Sequence, residues 1–218
     1  IDSGELIHYA GELLTPSSLV WLVSQSGCSA ENLRLLEMNE KQPVGILLAT
    51  TNDLTSPLAQ VSEAILPIKA VVEESVSTRT YSNSLAINQL AARYLCGDEL
   101  APQMENLQQI CQRNADYLQD CPAHLSDMEK KIGSAQHLII LGRGPSMATV
   151  YMGALLQAET AKFPVLALNA GQFRHGPLEM GGLGITVLVL AGEMQTRELN
   201  WRLGRELAGL GSRVLWIS

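Results

Sequence analysis

Apolar residues fall in short runs, each closed by a turn rich in Gly or Ser and followed by a stretch of helical periodicity. The first run is Val20-Trp21-Leu22-Val23, closed by Ser24-Gln25-Ser26-Gly27. From Ser29 the pattern reads as a helix start, with Ser29 as N-cap and Leu33 and Leu36 on one face. A strand is expected at 44–48, then a loop rich in Thr and Asn, then a short apolar run at 64–68. Residues 77–94 read as a long helix with Leu85, Ala86 and Leu90 on its buried side and Gly97 at its end.

Residues 100–132 are polar and helical in pattern, with Met104, Leu107, Ile110 and Leu118 recurring near helical spacing. The second half opens on a strand at 138–141 that runs into Gly142-Arg143-Gly144-Pro145-Ser146. A helix to about 162, strands at 165–168 and 185–190, a helix at 196–209 and a strand at 214–217 follow. Strands alternating with helices predict an α/β fold with parallel sheets. Strand–loop–helix units occur in both halves, so two similar lobes are expected, at 1–99 and 133–218, joined by a helical connection at 100–132. The repeat is weak: where the first half has its serine loop, the second has Ala191-Gly192-Glu193-Met194.

Composition narrows the class. The 218 residues are 46% hydrophobic and only 5% aromatic, an aliphatic balance suited to helices packed on a parallel sheet. The net charge of −7 argues against nucleic acid as the main ligand, because phosphate backbones need clustered Lys and Arg. A small anion remains possible, since backbone N–H groups can hold one without net positive charge. No apolar run approaches about 18 residues, so no membrane span is expected. Cys28, Cys96, Cys111 and Cys121 form no C-x-x-C pair and read as free cytosolic thiols, with neither disulfide framework nor zinc site. A cytoplasmic location is expected.

Three features carry candidate chemistry. A strand feeding Ser24-Gln25-Ser26-Gly27 into a helix makes an anion cradle: hydroxyls on Ser24, Ser26 and Ser29 suit phosphate oxygens, and Gly27 lets the backbone come close. An ordinary strand-to-helix turn with a Ser cap fits the same residues equally well. Gly142-Arg143-Gly144-Pro145-Ser146 resembles half of a dinucleotide fingerprint but lacks its third Gly, and a tight turn for packing is the better reading. Glu159, in a helix among Ala154, Leu155, Leu156, Ala158 and Ala161, and His175, in a loop bounded by Gly and Pro, are candidates for proton transfer. From the residues alone, a solvated helix face and a surface histidine suit these two better.

Four motifs in order resemble the sugar isomerase (SIS) domain family, in its double-SIS form, as in the isomerase half of glucosamine-6-phosphate synthase and the fructosamine-6-phosphate deglycases. They are Ser24-Gln25-Ser26-Gly27-Cys28-Ser29, Glu74-Ser75-Val76-Ser77-Thr78-Arg79-Thr80-Tyr81, Gly153-Ala154-Leu155-Leu156-Gln157-Ala158-Glu159, and Phe173-Arg174-His175-Gly176-Pro177-Leu178. The resemblance implies two SIS lobes, each a flavodoxin-like three-layer sandwich. It implies a sugar phosphate as ligand: Ser24, Gln25, Ser26 and Ser29 hold the phosphate, and Ser77 lies near the sugar. Glu159 would shuttle a proton between C1 and C2, and His175 would assist ring opening in a neighbouring subunit's site. A homodimer or higher assembly with shared active sites is therefore implied, as is acid–base chemistry with no metal or redox cofactor. The same family includes regulators that bind the phosphosugar without turning it over. Leu156 stands where the synthase pattern has a lysine, which counts against a glutamine-dependent aminotransferase. The family pattern also places a strand before Ile1 and a tail beyond Ser218.

Overall fold

The computed structural model describes residues 1–132 and 135–218. The expected start of the second lobe, at 133, lies outside the described residues. The chain divides into two compact units, Ile1–Ala115 and Asp116–Ser218.

The first unit contains, in order, α1 (Ser3–Tyr9), β1 (Leu19–Val23), α2 (Ala30–Lys41), β2 (Ile46–Thr51), α3 (Pro57–Val61), β3 (Ala64–Pro67), α4 (Arg79–Leu95) and most of α5 (Leu100–Gln119). The strands are parallel in the order β1-β2-β3. On one face Leu22, Leu47 and Ala49 meet Leu6 of α1, Leu35 and Leu36 of α2 and Leu58 of α3 in a closed aliphatic core. On the other face the Trp21 indole N–H donates to Thr50 Oγ1 at 2.8 Å, and that hydroxyl donates to Asn88 Oδ1 of α4 at 2.6 Å. Helices therefore cover both faces of the sheet, which is why its strands read as continuous apolar runs.

Several expectations need correction here. Strand β2 begins at Ile46 rather than Val44, whose N–H is taken by Asn39 Oδ1 at 2.9 Å in the preceding turn. It continues through Thr50 and Thr51, which are fully buried. The inward face of α2 is Asn32, Leu35 and Leu36, while Leu33 is 39% exposed. Leu85 is 45% exposed and not on the buried side of α4. Two polar anchors turn that helix: Asn88 bonds Thr50, and the Asn83 side chain donates to the Ile68 carbonyl at 3.1 Å. That orientation puts Thr80 inward and Leu85 outward, and hydropathy gives asparagine no weight. Helix α3 rises inside the expected Thr/Asn loop; Ser56 caps it by accepting the Ala59 N–H at 3.3 Å, and Pro57 opens it.

The second unit carries the end of α5, then α6 (Cys121–Ile132), β4 (His137–Gly142), α7 (Met147–Ala161), β5 (Val165–Asn169), α8 (Ala170–Phe173), β6 (Ile185–Leu190), α9 (Met194–Gly209) and β7 (Arg213–Ile217). Its strands are parallel in the order β5-β4-β6-β7. Alternation along β4 and β6 sorts the core into two layers. Leu138, Ile140, Leu188 and Leu190 face Val150 of α7, while Ile139, Leu141, Val187 and Val189 face Phe173 of α8 and Leu203 and Leu207 of α9. The architecture is α/β, with parallel sheets flanked by helices. At Gly142 a Cβ would lie 2.8 Å from Val150, so the glycine-rich turn after β4 serves close packing of α7. Among the described residues no helix is long and apolar enough to cross a membrane.

Candidate phosphosugar site

The serine loop leaves the C-terminal end of β1 and enters α2 at Ser29. Gly27 makes the turn at φ +65°, and any Cβ there would overlap the Ser56 side chain. Neighbouring strand ends brace the loop: the Ser24 N–H donates to the Thr50 carbonyl at 2.9 Å, and the Gln25 carbonyl accepts from the Asn52 N–H at 3.0 Å and the Thr51 hydroxyl at 3.2 Å. Within the loop, Ser24 Oγ accepts the Gly27 N–H at 3.2 Å and Ser26 Oγ the Cys28 N–H at 3.4 Å. A hydroxyl oxygen that accepts from the backbone keeps its own proton for another acceptor. Ser29 sits at the N-cap, as its position predicts, but makes no side-chain bond to its helix. Gln25 and Ser29 are exposed, and Ser24 and Ser26 half-buried. The loop thus gathers hydroxyl donors and a helix N-terminus in one place.

Two residues outside the sequence motifs shape this region. Asn52, just after β2, couples the serine loop to the chain leaving β3. Its N–H holds Gln25, while its side chain donates to the Ala70 carbonyl and accepts the Ala70 N–H, both at 2.9 Å. Glu73 is the second. Its Oε1 accepts from the Thr78 N–H at 3.0 Å, the Thr78 hydroxyl at 3.0 Å and the Arg79 N–H at 2.8 Å, and its Oε2 from the Thr80 N–H at 3.0 Å. One carboxylate therefore caps the first turn of α4 and draws residues 73–80 into a closed loop that carries Ser77, which is exposed. The side chain of Glu73 is only 8% exposed.

The backbone N–H groups of Thr80 and Arg79 hold the Glu73 carboxyl well below its ordinary pKa of 4.5. Its folded pKa lies below its unfolded one, so the unfolded chain binds the extra proton and stability rises with pH across this range. The contribution is complete above about pH 4.5 and is lost as the pH falls towards the folded value. Glu73→Gln should therefore flatten the acid limb of a plot of stability against pH. Denaturation midpoints of the two proteins that fall in parallel below pH 4.5 would contradict this cap.

In the second unit, Glu159 lies in the last turn of α7 and is exposed, on the same side as Tyr151 and Leu155. The apolar residues around it in sequence do not bury it, because the inward face of the helix is centred on Val150 and Ala154. His175 is exposed as well, on the loop that follows α8. Its N–H donates to the Gln172 carbonyl at 2.9 Å, Phe173 is fully buried, and Arg174 pairs with Glu206 of α9 at 2.6 Å. A loop braced on its N-terminal side thus presents an exposed imidazole.

No family model matches the chain. It is 28% identical over 189 residues to a glutamine–fructose-6-phosphate aminotransferase (isomerizing) of Legionella pneumophila, covering 84% of this chain and 31% of that one. It is 25% identical over 228 residues to the enzyme of the same name from Rhizobium meliloti, covering 100% and 37%. The chain spans about a third of the length of these curated relatives. Its fold matches the C-terminal domain of glucosamine-fructose-6-phosphate aminotransferase from Francisella tularensis with a TM-score of 0.82, at 24% identity, over 91% of this chain and 58% of that one. The chain is thus similar in sequence to part of glutamine–fructose-6-phosphate aminotransferases described as isomerizing, and in fold to the C-terminal domain of such an aminotransferase.

Proposed function

We propose that the chain supplies the sugar-phosphate site of a cytoplasmic phosphosugar isomerase, deaminase or deglycase acting on a ketose, fructosamine or amino-sugar 6-phosphate. The observation that carries this reading is the serine loop: Ser24 and Ser26 accept backbone N–H groups and keep their protons for a ligand, and Ser29 adds a hydroxyl uncommitted to its helix. The likeness to aminotransferases described as isomerizing supports the same reading.

In this proposal Ser24, Gln25, Ser26 and Ser29 hold the phosphate and Ser77 lines the sugar. His175 gives a proton to the ring oxygen as the anomeric C–O bond breaks, and the anomeric hydroxyl loses its proton to solvent as the carbonyl forms. The Glu159 carboxylate takes the proton from C1 or C2 of the open chain, leaving an enediol or enolamine, and returns it to the neighbouring carbon. The carbon skeleton gains and loses no electrons overall, and the two side chains and solvent suffice for the proton movements. The working form is a homodimer or higher assembly in which His175 serves a neighbouring subunit.

A product assay of the complete protein over fructosamine, hexosamine and ketose 6-phosphates tests the reading. Tight binding of a panel member without turnover or solvent-deuterium exchange would favour a sensing module; glutamine-dependent amination would favour an aminotransferase. Ser26→Ala removes one donor to a charged group, a contact worth about 1.5–3 kcal/mol. Affinity for the phosphorylated ligand should fall roughly ten- to a hundredfold with little change in thermal stability. Calorimetry showing unaltered affinity would remove this loop from the site.

A further inference from the structure

Helix α7 closes on a residue whose place glycine normally takes. Lys162 follows Ala161 at φ +53°, a left-handed conformation that glycine adopts freely and that strains a residue with a Cβ. The backbone there closes the helix in the ordinary way. The Lys162 N–H donates to the Gln157 carbonyl, and so does the Phe163 N–H at 3.4 Å. Glycine would make the same two bonds, so the turn itself does not call for a lysine.

The side chain shows what lysine adds. Its Nζ donates to the main-chain carbonyl of Glu159 at 2.7 Å. That carbonyl is one of those a helix end leaves without an intrahelical partner, and a cation is favoured at that end. Glu159 and Lys162 are three apart, a spacing at which a carboxylate and a cation on one helix pair with each other. Elsewhere in the chain such helical pairs close: Arg34 with Glu37 at 2.7 Å, Lys131 with Asp127 at 2.6 Å and Arg202 with Glu198 at 2.9 Å. Here the left-handed turn takes Lys162 out of the helical row, and the ammonium reaches the main chain instead. Leu155 and Leu156, on the preceding turn, offer no partner either. Among the described residues the Glu159 carboxylate therefore makes no hydrogen bond or ion pair.

We propose that Lys162 is a positioning residue for Glu159. Its ammonium ties down the final turn of α7, at the end where helices fray. It does so through the main chain, so the carboxylate is held in place and its oxygens stay open to a proton from carbon. An ion pair between the two side chains would steady Glu159 but occupy the oxygens that must accept that proton. The inference rests on the proton-transfer role proposed above for Glu159.

Lys162→Gly in the complete protein tests it. Glycine keeps the left-handed turn and both backbone bonds, so Tm should not fall by more than about 2 °C. On the sugar 6-phosphate that the wild type turns over, kcat should fall about two- to fivefold, the factor that matches a cation's interaction with a helix C-terminus. KM should stay within about twofold, and exchange of solvent deuterium into C1 or C2 should fall with kcat. Lys162→Asn, which also tolerates the left-handed turn but carries no cation, should behave in the same way. The carbonyl carbon resonance of Glu159 should move in both variants, which reads the bond without any substrate. Unchanged kcat and exchange in both variants, or an unmoved carbonyl resonance, overturns the inference. A fall in kcat matched by a large loss of Tm also overturns it, because Lys162 would then be a helix cap and nothing more. A wild-type protein that turns over no member of the panel would instead remove the proton-transfer role of Glu159, and this inference with it.

Discussion

Glu159→Gln should reduce turnover of the complete protein by about 10²–10⁴-fold while ligand affinity stays within a few-fold. Glutamine keeps the shape and the hydrogen-bonding reach of the side chain but cannot accept a proton from carbon. Positioned acid–base groups contribute rate enhancements of about that size. In the proposed function the phosphate is held by the serine loop and not by Glu159, so binding should survive. Glu159 is exposed on α7 and its side chain is no part of the core, so the variant should keep the wild-type Tm. Exchange of solvent deuterium into C1 or C2 should vanish together with turnover. Persistent exchange at the wild-type rate would place the proton transfer on another group.

Gly27→Ala should damage both the fold and the ligand site. Gly27 has φ +65°, and an L side chain in that region costs about 1–2 kcal/mol. The added Cβ would also lie 2.6 Å from Ser56 Cβ and 3.1 Å from Thr51 Oγ1, and overpacking of this kind costs about 1–3 kcal/mol more. The sum, roughly 2–5 kcal/mol, corresponds to a fall in Tm on the order of 10 °C. Moving the loop to relieve the overlap would break its bonds to Thr50, Thr51 and Asn52, so phosphate affinity should fall as well. The double variant Gly27→Ala/Ser56→Gly separates the two causes. It removes the Ser56 side chain at a cap penalty of only a few tenths of a kcal/mol, so part of the stability should return while the backbone penalty remains. A Tm for Gly27→Ala within about 2 °C of wild type would show that the loop does not depend on this turn.

The regular elements were readable because both sheets are covered on two faces. Strands such as Leu19–Val23 then carry unbroken apolar runs, and the glycines and serines after them mark the turns. Ser29 announced the start of α2, and Gly97 the end of α4, where it adopts φ +87°. Orientation was less readable. Leu33 and Leu85 fit a helical period, yet Asn32 on α2 and Asn83 and Asn88 on α4 face inward, and a hydropathy pattern treats asparagine as outward. The serine loop stood out as a motif, but its supports did not. Asn52 bonds Ala70, eighteen residues on, and Glu73 caps a helix that begins six residues later, a spacing no capping box describes.

By itself, then, the sequence determined the alternation of strands and helices, the parallel α/β class, and the loops that carry Ser24–Ser29, Ser77 and His175. Each of these follows from local preference, whether the period of apolar residues, the backbone freedom of glycine or the capping habit of serine. The tertiary structure alone decided which face of each helix is buried, that one carboxylate closes residues 73–80, and that Asn200 of α9 holds the Arg143 side chain. Those outcomes depend on which polar group finds which partner once distant segments meet. A buried donor or acceptor must be matched, and the match is settled in space rather than along the chain.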